Sequence, residues 1–310
     1  MNNYKIHDVV IAGGGAAGLS AALLLGRCLR DTVLCDAGRS DIESFPSTGG
    51  FLGHDGCHPS ELLRMGREQV AKFDTVTQVA ARIGDVQRTI AGFTVICMDG
   101  RKLETRTLLV TPGQVPVLPE ITGARDFHGS SLHQFPCGDG WDHQHQQLGV
   151  LGGSDGDVEL ALKLLIWSSR VTLFSNGEEV SMKSRQLLAQ NRIMIETRPL
   201  VELLGAPPQL ETVRLEDGTC MPCQALFYSS SEMYHSRLAA KLGCDARHLG
   251  SGNRWLPDGG SGIQGLFVAG NPFKAPDMAI IAAANGVKAA EEVDRWLSES
   301  ARSYLGVKSA

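Results

Sequence analysis

Residues 7–38 carry the sequence HDVVIAGGGAAGLSAALLLGRCLRDTVLCDAG, and this stretch decides the fold. A short apolar run is followed by a glycine-rich turn, then by an alanine- and leucine-rich stretch, and then by a second apolar run that ends at Asp36. Apolar runs of this length predict buried strands, and the stretch between them has the composition of a helix. The segment therefore predicts a strand, a tight turn, a helix and a second strand.

The glycines of this turn stand at the spacing that a dinucleotide requires. Gly13 allows the tight turn, Gly15 lets a pyrophosphate approach the backbone, and Gly18 lets the helix pack closely on the strand. The helix N-terminus offers free N–H groups and a positive dipole end to phosphate. Asp36 can accept hydrogen bonds from both hydroxyls of a ribose. The segment therefore indicates a dinucleotide-binding unit rather than an ordinary α/β turn.

Length and composition exclude several classes of protein. The 310 residues suggest about two domains, and a net charge of −5 does not favour binding to nucleic acid or to an anionic membrane surface. We find no apolar run near the ~18 residues of a membrane span. The first eight residues hold no apolar signal core, and the eight cysteines are scattered. We therefore expect a cytoplasmic protein whose cysteines are mostly buried thiols.

A second strand–turn–helix–strand pattern begins at residue 148. We predict a strand at 148–151, a glycine turn at 152–157, a helix at 158–167 and a strand at 171–174. Because the architecture is duplicated, the predicted fold class is α/β with two Rossmann-like domains of three layers (ββα), the second inserted into the first.

The other segments supply further strands and one long helix. Residues 75–110 suggest an antiparallel β segment with a hairpin at Asp99-Gly100. Residues 193–228 suggest more strands with a hairpin at Asp217-Gly218, and residues 266–271 a late buried strand. Residues 278–297 suggest an alanine-rich helix that can pack tightly on a sheet.

On these motifs the chain resembles the low-molecular-weight thioredoxin reductases, which are two-domain flavoproteins of the pyridine nucleotide-disulfide oxidoreductase family. Residues 13–18 and 36–38 match the family's FAD fingerprint, and Thr111-Pro112-Gly113 and residues 268–271 match two later motifs. The resemblance extends over nearly the whole chain. It implies an FAD domain at 1–116 and 246–310, an inserted NAD(P)H-type domain at 117–245, and a homodimer.

The resemblance also implies which residues bind FAD. They are Gly13, Gly15, Ala16, Ala17, Gly18, Asp36, Ala37, Gly38, His54, Thr111, Gly113, Gly270, Asn271, Met278, Ala279 and Ile280. Asn271 stands where the family has an acid, and its amide oxygen can still accept from a ribityl hydroxyl.

The family's Cys-x-x-Cys pair is missing before the second glycine turn. An alignment without a gap places Phe135 and Gly138 at the two cysteine positions, whereas a one-residue insertion places Gln134 and Cys137 there. Dithiol exchange needs an attacking and a resolving thiol, so neither alignment supports the standard dithiol route.

Two residues of this segment are nevertheless candidates for catalysis, Cys137 and Asp139. Cys137 could act as a single thiolate if a helix end or a neighbouring histidine lowered its pKa. It could equally be a bystander thiol beside a proline turn.

The second glycine turn departs from the family in its charge. Ser154 replaces the usual second glycine and Asp157 the third small residue, and with Asp155 they place negative charge at the pyrophosphate position. Residues 175–179, SNGEE, replace the basic cluster that grips a 2′-phosphate. These changes disfavour NADPH, while NADH stays open because Asn176 could bond a ribose hydroxyl.

Two weaker candidates lie in the same half of the chain. Cys220 and Cys223 form a true Cys-x-x-Cys, for which we weigh a displaced redox pair against two strand thiols. His143 and His145 stand at the spacing of a chelating pair, but we find no third ligand and expect a solvated turn.

Three functions remain open at this stage. The first is an atypical FAD-dependent oxidoreductase without a dithiol site, which does not use NADPH and acts with a small-molecule substrate or a small electron-transfer protein. The second is a thiol–disulfide reductase or dithiol oxidase that works through Cys137 or through Cys220 and Cys223. The third is a non-catalytic FAD-binding module. We expect no metal, nucleic acid or membrane as partner.

Overall fold

The computed structural model describes residues 5–38, 45, 47–112, 117–134, 136–229, 238, 241, 263–270 and 278–304. Contacts within the chain divide it into two compact units. The first unit comprises Met1–Glu43, Gly50–Val115 and Met233–Ala310, and the second comprises Ser44–Gly49 and Pro116–Glu232. Among the described helices, none combines the length and the apolar character that crossing a bilayer requires.

The described strands and helices follow one another in the α/β order that the sequence predicts. The strands are Ile6–Ala12 (β1), Thr32–Asp36 (β2), Val76–Ala80 (β3), Ile83–Thr89 (β4), Gly92–Cys97 (β5), Lys102–Val110 (β6), Leu132–His133 (β7), Leu148–Leu151 (β8), Val171–Phe174 (β9), Met194–Glu196 (β10), Leu200–Ala206 (β11), Gln209–Leu215 (β12), Cys220–Pro222 (β13), Ala225–Tyr228 (β14) and Leu266–Val268 (β15). The helices are Ala16–Arg27 (α1), Pro59–Val70 (α2), Ala124–Phe127 (α3), Pro136–Asp139 (α4), Asp155–Leu164 (α5), Met182–Gln190 (α6) and Ala279–Tyr304 (α7).

The first unit contains a mixed sheet with the strand order β3-β2-β1-β6-β5-β4, and β15 also pairs with β6. Strands β3, β2, β1, β6 and β15 run parallel, whereas β4, β5 and β6 pair antiparallel. The predicted hairpin at Asp99-Gly100 joins β5 to β6, and Gly100 there adopts a φ of +87°.

The prediction that residues 75–110 form one antiparallel segment is wrong at its first strand. Val76 pairs with Thr32 in a parallel register, so β3 belongs with β2. The physical reason is that helix α2 lies between β2 and β3 in the chain, and a crossover helix returns the chain to the same end of the sheet. Alternating polarity in β3 does not reveal this direction.

Helix α1 packs closely on its neighbours because glycines occur at the contacts. A Cβ on Gly18 would lie 1.8 Å from the carbonyl oxygen of Gly13, and a Cβ on Gly286 in α7 would lie 2.0 Å from that of Ala17. Alanines and larger apolar side chains fill the rest of this core, among them Ala21, Leu25, Ala289, Ala290, Val293 and Leu297. The short distance between α1 and the turn before it keeps the helix N-terminus in one position.

The second unit contains a parallel sheet with the strand order β10-β9-β8-β14-β7 and a separate antiparallel sheet of β11, β12 and β13. The predicted turn at Asp217-Gly218 lies between β12 and β13. Helix α5 begins at Asp155, three residues before the predicted start, because Ser154 caps it and forms a capping box with Asp157. The α/β fold with two Rossmann-like units is confirmed.

Replacing Gly286 with alanine is expected to destabilise the first unit by about 1–3 kcal/mol, because the new methyl group meets backbone that cannot move aside. Gly156→Ala is the matched control, since a Cβ in that helical position has its nearest neighbour at 3.7 Å. Urea denaturation of the purified variants measures both effects. Equal stability of the Gly286 variant and the parent chain would contradict the packing described here.

Candidate functional site

The β1–α1 turn presents a helix N-terminus that no side chain caps. Gly15 is the N-cap residue and has no side chain that could cap the helix. The first turn of α1 holds no acidic residue. The first N–H groups of a helix have no partner within the helix. Because α1 supplies neither a capping oxygen nor a negative charge, this end of the helix remains a site for an anion.

Gly13 and Thr111 shape the approach to this helix end. Gly13 has a φ of +124°, and a Cβ at that position would lie 2.5 Å from the carbonyl oxygen of Thr111. The Thr111 hydroxyl lies 3.1 Å from the Ala12 carbonyl oxygen and 3.0 Å from that of Gly13. Thr111 is therefore buried against the turn, where it fixes the backbone.

Asp36 ends β2 beside the same turn, and two contacts hold its carboxylate. Oδ1 accepts from the backbone N–H of Gly38 at 2.9 Å, and Oδ2 lies 3.1 Å from Nη2 of Arg67. A Cβ on Gly14 would lie only 2.3 Å from Oδ2, so the carboxylate packs directly over the glycines. Nε of Arg67 also donates to Oδ2, at 3.2 Å, so the acceptor capacity that Asp36 keeps for ribose hydroxyls lies mainly on Oδ1.

The remaining predicted FAD residues lie at three places in the first unit. Ala16, Ala17 and Gly18 form the first turn of α1, and Ala37 and Gly38 follow β2 on the surface. Gly270, with a φ of +96°, ends the segment after β15, and its carbonyl oxygen accepts from the Asn285 side chain at 2.9 Å. His54 lies in a turn, where its backbone N–H donates to the carbonyl oxygen of Phe51. Met278 precedes Ala279 and Ile280 at the start of α7. Gly113 and Asn271 lie outside the described residues.

These features fit the pyrophosphate and the adenosine ribose of a dinucleotide. The glycine turn would be filled by any added Cβ, the helix end lacks an anion of its own, and Asp36 offers carboxylate oxygens at the strand end. The pyrophosphate of FAD would bind at the first turn of α1, and its adenosine ribose would bind Asp36.

The β8–α5 turn of the second unit resembles the β1–α1 turn in its backbone. Its own side chains, however, occupy the place where the phosphates of a ligand would bind. Gly152 has a φ of +124°, as Gly13 does. Oδ2 of Asp157 accepts from Ser154 N at 3.0 Å and from Ser154 Oγ at 2.6 Å, while Ser154 Oγ accepts from Asp157 N at 3.3 Å. Oε2 of Glu178 accepts from Gly153 N at 2.8 Å. Two N–H groups of this turn, those of Gly153 and Ser154, are therefore bound by the chain's own carboxylates.

A third carboxylate belongs to the same helix end. Asp155 is the first residue of α5, and its Oδ1 accepts from the Ser184 hydroxyl at 2.8 Å. Asp157 is buried and also accepts from the Ser229 hydroxyl. These acids are part of the fold of the second unit, since each one satisfies donors that would otherwise lack partners.

Cys137 and Asp139, the two candidate catalytic residues, both lie on the short helix α4. Cys137 is exposed and is a free thiol. Asp139 ends the helix, and its Oδ2 lies 3.3 Å from Nδ1 of His133 on β7. Within the second unit, the structure thus brings Asp139 together with a histidine that sequence reasoning did not select.

His133 and His143 form a buried imidazole pair. Their Nε2 atoms are 2.9 Å apart, and Nδ1 of His143 lies 2.8 Å from Oε1 of Gln146. The expectation that His143 belongs to a solvated turn is wrong, because the turn after α4 directs it onto Phe227 and His133. Burial and the nearby His133 lower the pKa of His143. In the part of the chain that the structure describes, no three His, Cys, Asp or Glu side chains lie close enough together to hold a metal ion.

Cys220 and Cys223 lie in different surroundings. Cys220 is exposed on β13, whereas Cys223 is buried and its thiol donates to the Ala225 carbonyl oxygen at 3.3 Å. Burial raises the pKa of Cys223 to about 12, so its reactive thiolate form is suppressed. The interpretation of two strand thiols fits these surroundings.

Comparison with known proteins defines the class of this protein. Residues 7–286 match the family described as pyridine nucleotide-disulphide oxidoreductase. The chain belongs to this family, and the two-unit α/β fold agrees with it. Its thioredoxin reductase-like members are FAD-dependent oxidoreductases, so FAD is the cofactor and oxidoreductase is the class of enzyme.

Individual relatives support the same class at moderate identity. The chain is 28% identical to thioredoxin reductase tcpT of Claviceps purpurea over 288 residues, which are 87% of this chain and 88% of that protein. It is 25% identical to a protein of Arthroderma benhamiae assigned as a thioredoxin reductase, over 57% of this chain and 45% of that protein. The crystal structure of HlmI is 30% identical, covers 98% of this chain and 97% of its own, and has a TM-score of 0.88.

Replacing Asp36 with alanine is expected to weaken FAD binding by roughly 10- to 100-fold, because hydrogen bonds to a charged group contribute about 1.5–3 kcal/mol. The exposed Asp74 on the same unit offers a control, Asp74→Ala. Reconstitution of apoprotein with FAD, followed by flavin fluorescence, gives both dissociation constants. Unchanged affinity in the Asp36 variant would remove this residue from the site.

Proposed function

We propose that this chain is an FAD-dependent oxidoreductase that does not receive electrons from NADPH or NADH through its second unit. One observation carries the proposal: Asp157 and Glu178 bind the N–H groups of Ser154 and Gly153, in the glycine turn where the pyrophosphate of a pyridine nucleotide would bind. A nucleotide would have to displace both carboxylates and then remain close to them.

Electrostatics gives the scale of this obstacle. Two unit charges of like sign about 4 Å apart repel by roughly 4 kcal/mol near a protein surface, which corresponds to about a thousandfold loss of affinity. The first helical turn of α1 holds no acid, and the carboxylate beside its glycine turn, Asp36, lies at the end of β2, where it would bind ribose hydroxyls rather than the turn's N–H groups. The same backbone turn therefore favours a dinucleotide in one unit and disfavours it in the other.

Residues of the first unit would hold the cofactor. Other residues of the chain would control the access of substrate to it and the supply of protons. When bound, FAD supplies the two-electron chemistry of the family. Without a Cys-x-x-Cys at α4, electrons would pass directly between the flavin and a small-molecule substrate or a small electron-transfer protein. The predicted homodimer stays a prediction of the family resemblance.

A second candidate function is thiol–disulfide chemistry through one cysteine. Two observations favour it: Cys137 is exposed on the segment that holds Asp139, and the curated relatives described above carry the name thioredoxin reductase. With FAD as the two-electron acceptor, the thiol of Cys137 and one thiol of a dithiol substrate would be oxidised to a mixed disulfide, and the second substrate thiol would displace Cys137 to form the substrate's disulfide.

Replacing Cys137 with serine separates the two candidates. If the flavin reacts directly with substrate, the rate of flavin bleaching by dithiothreitol should change less than about twofold, because no thiol of the protein takes part. The exposed Cys220 offers a matched control, Cys220→Ser. A loss of bleaching in the Cys137 variant alone would favour the thiol–disulfide route instead.

Anaerobic mixing with NADPH and with NADH tests the main proposal. We expect both to bleach the bound flavin far more slowly than dithionite does. In the variant Asp157→Ala/Glu178→Ala the rate with NADPH should rise at least about tenfold, because two repelling charges are gone. Glu179→Ala, a neighbouring exposed acid, is the control and should leave the rate unchanged. Rapid bleaching of the parent chain by NADPH would refute the proposal.

A further inference from the structure

Helix α2 places Arg67 beside the end of β2. Leu63 and Val70 of this helix are buried in the core of the first unit. Residues three and four apart lie on one face of a helix, so the Arg67 side chain begins on the same side as these two. The backbone carbonyl oxygen of Arg67 also accepts from the side-chain amide of Gln78 on β3 at 3.0 Å. The packing of α2 on the sheet therefore determines where the Arg67 side chain starts.

The guanidinium of Arg67 binds one oxygen of the Asp36 carboxylate with two of its nitrogens. Nε lies 3.2 Å and Nη2 3.1 Å from Oδ2. The side chains of Arg67 and Asp36 are 33% and 20% exposed, so water reaches the pair only in part. Charged hydrogen bonds of this kind hold a carboxylate in one orientation.

The two oxygens of Asp36 have different surroundings as a result. Oδ2, which Arg67 binds, faces the glycine turn, since a Cβ on Gly14 would lie 2.3 Å from it. Oδ1 accepts from the backbone N–H of Gly38 at 2.9 Å and keeps a lone pair for a further donor. The ion pair thus compensates the charge on the oxygen at the turn and leaves an acceptor on the other oxygen.

This division of roles matters because the site must hold a diphosphate and a carboxylate close together. Asp36 packs over Gly14, next to the helix end at Gly15 where the diphosphate of FAD would bind. Like charges at short distance repel strongly near a protein surface. A positive charge on Oδ2 reduces this repulsion without occupying the lone pair that a ribose hydroxyl needs.

We propose that Arg67 is a positioning residue of the dinucleotide site that acts through Asp36. It compensates the charge of Oδ2 beside the diphosphate and holds Oδ1 available to the hydroxyls of the adenosine ribose. The pair thereby makes the site selective for nucleotides that carry these hydroxyls. The inference rests on the binding of FAD to the first unit and not on the electron donor proposed above, so the NADPH experiment leaves it untouched.

Two nucleotides that differ only in the ribose test this role. ADP carries the diphosphate and both hydroxyls, whereas 2′,3′-dideoxyadenosine diphosphate carries the diphosphate alone. Isothermal titration calorimetry of the full chain after removal of FAD gives both dissociation constants. We expect the parent chain to bind ADP about 10-fold more tightly or better, because hydrogen bonds to a charged group are strong. No preference in the parent chain would remove Asp36 from the ribose and overturn the inference.

The variant Arg67→Leu keeps an apolar stem on α2 and removes the guanidinium. We expect its preference for ADP to fall at least about threefold and its affinity for FAD to fall about 10-fold, because Oδ2 is uncompensated and the carboxylate is free to turn. Arg67→Lys keeps the charge and should recover part of both. Arg64→Leu is the matched control on the same helix, since Arg64 pairs with Glu68 at 2.6 Å, and should change neither.

The ratio of the two nucleotide affinities separates this role from a purely structural one. If Arg67 merely supported the fold, Arg67→Leu would weaken ADP, its dideoxy analogue and FAD by the same factor. An unchanged preference for ADP in Arg67→Leu would therefore overturn the proposal. Circular dichroism shows whether this variant folds, and if it does not, a preference in Arg67→Lys equal to that of the parent chain overturns the proposal instead.

A double-mutant cycle tests whether Arg67 acts through Asp36. In an Asp36→Asn background the carboxylate charge is gone, so adding Arg67→Leu should change the affinity for FAD by less than about twofold. A further loss of about 10-fold in that background would show that Arg67 acts by another route and would overturn the positioning role.

Discussion

The first N–H groups of a helix need acceptors from outside the helix, and this requirement governs both units of the chain. In the first unit α1 leaves the requirement open, because Gly15 has no side chain and no acid follows it. In the second unit the chain meets part of it internally: Ser154 accepts from the Asp157 N–H, Asp157 accepts from the Ser154 N–H, and Glu178 binds the residue before the cap. Two turns with the same φ of +124° at their first glycine thus differ: one leaves its helix end uncapped, and the other is capped by side chains of the fold itself.

The segment around α4 brings an acid next to buried histidines. The cysteine pair is absent, yet Asp139 remains and faces a buried imidazole pair that is hydrogen bonded at both ends. Such a network is costly to bury unless each polar atom has a partner. The one atom without a partner, Nδ1 of His133, is the atom that faces Asp139.

Much of the fold and the cofactor site follows from local sequence, because the glycine turn, the buried strands and the strand-end Asp36 depend on residues close together in the chain. The direction of β3 does not, since it depends on the crossover through α2. The pairing of His133 with His143 could not be foreseen either. Ten residues and a helical turn separate them, and their partners Ser130 and Gln146 have no recognisable spacing.

The two helix ends make the two units depend differently on their surroundings. The second unit binds the N–H groups of Gly153, Ser154 and Asp157 with its own side chains, so a ligand at this turn would add less to its stability. The first unit leaves donors open, and a ligand that binds only the folded form adds about 2.7 kcal/mol when present at a hundred times its dissociation constant. The concentration of flavin in the cell would then determine how long the first unit resists proteolysis. The resistance of the second unit would not depend on the flavin concentration.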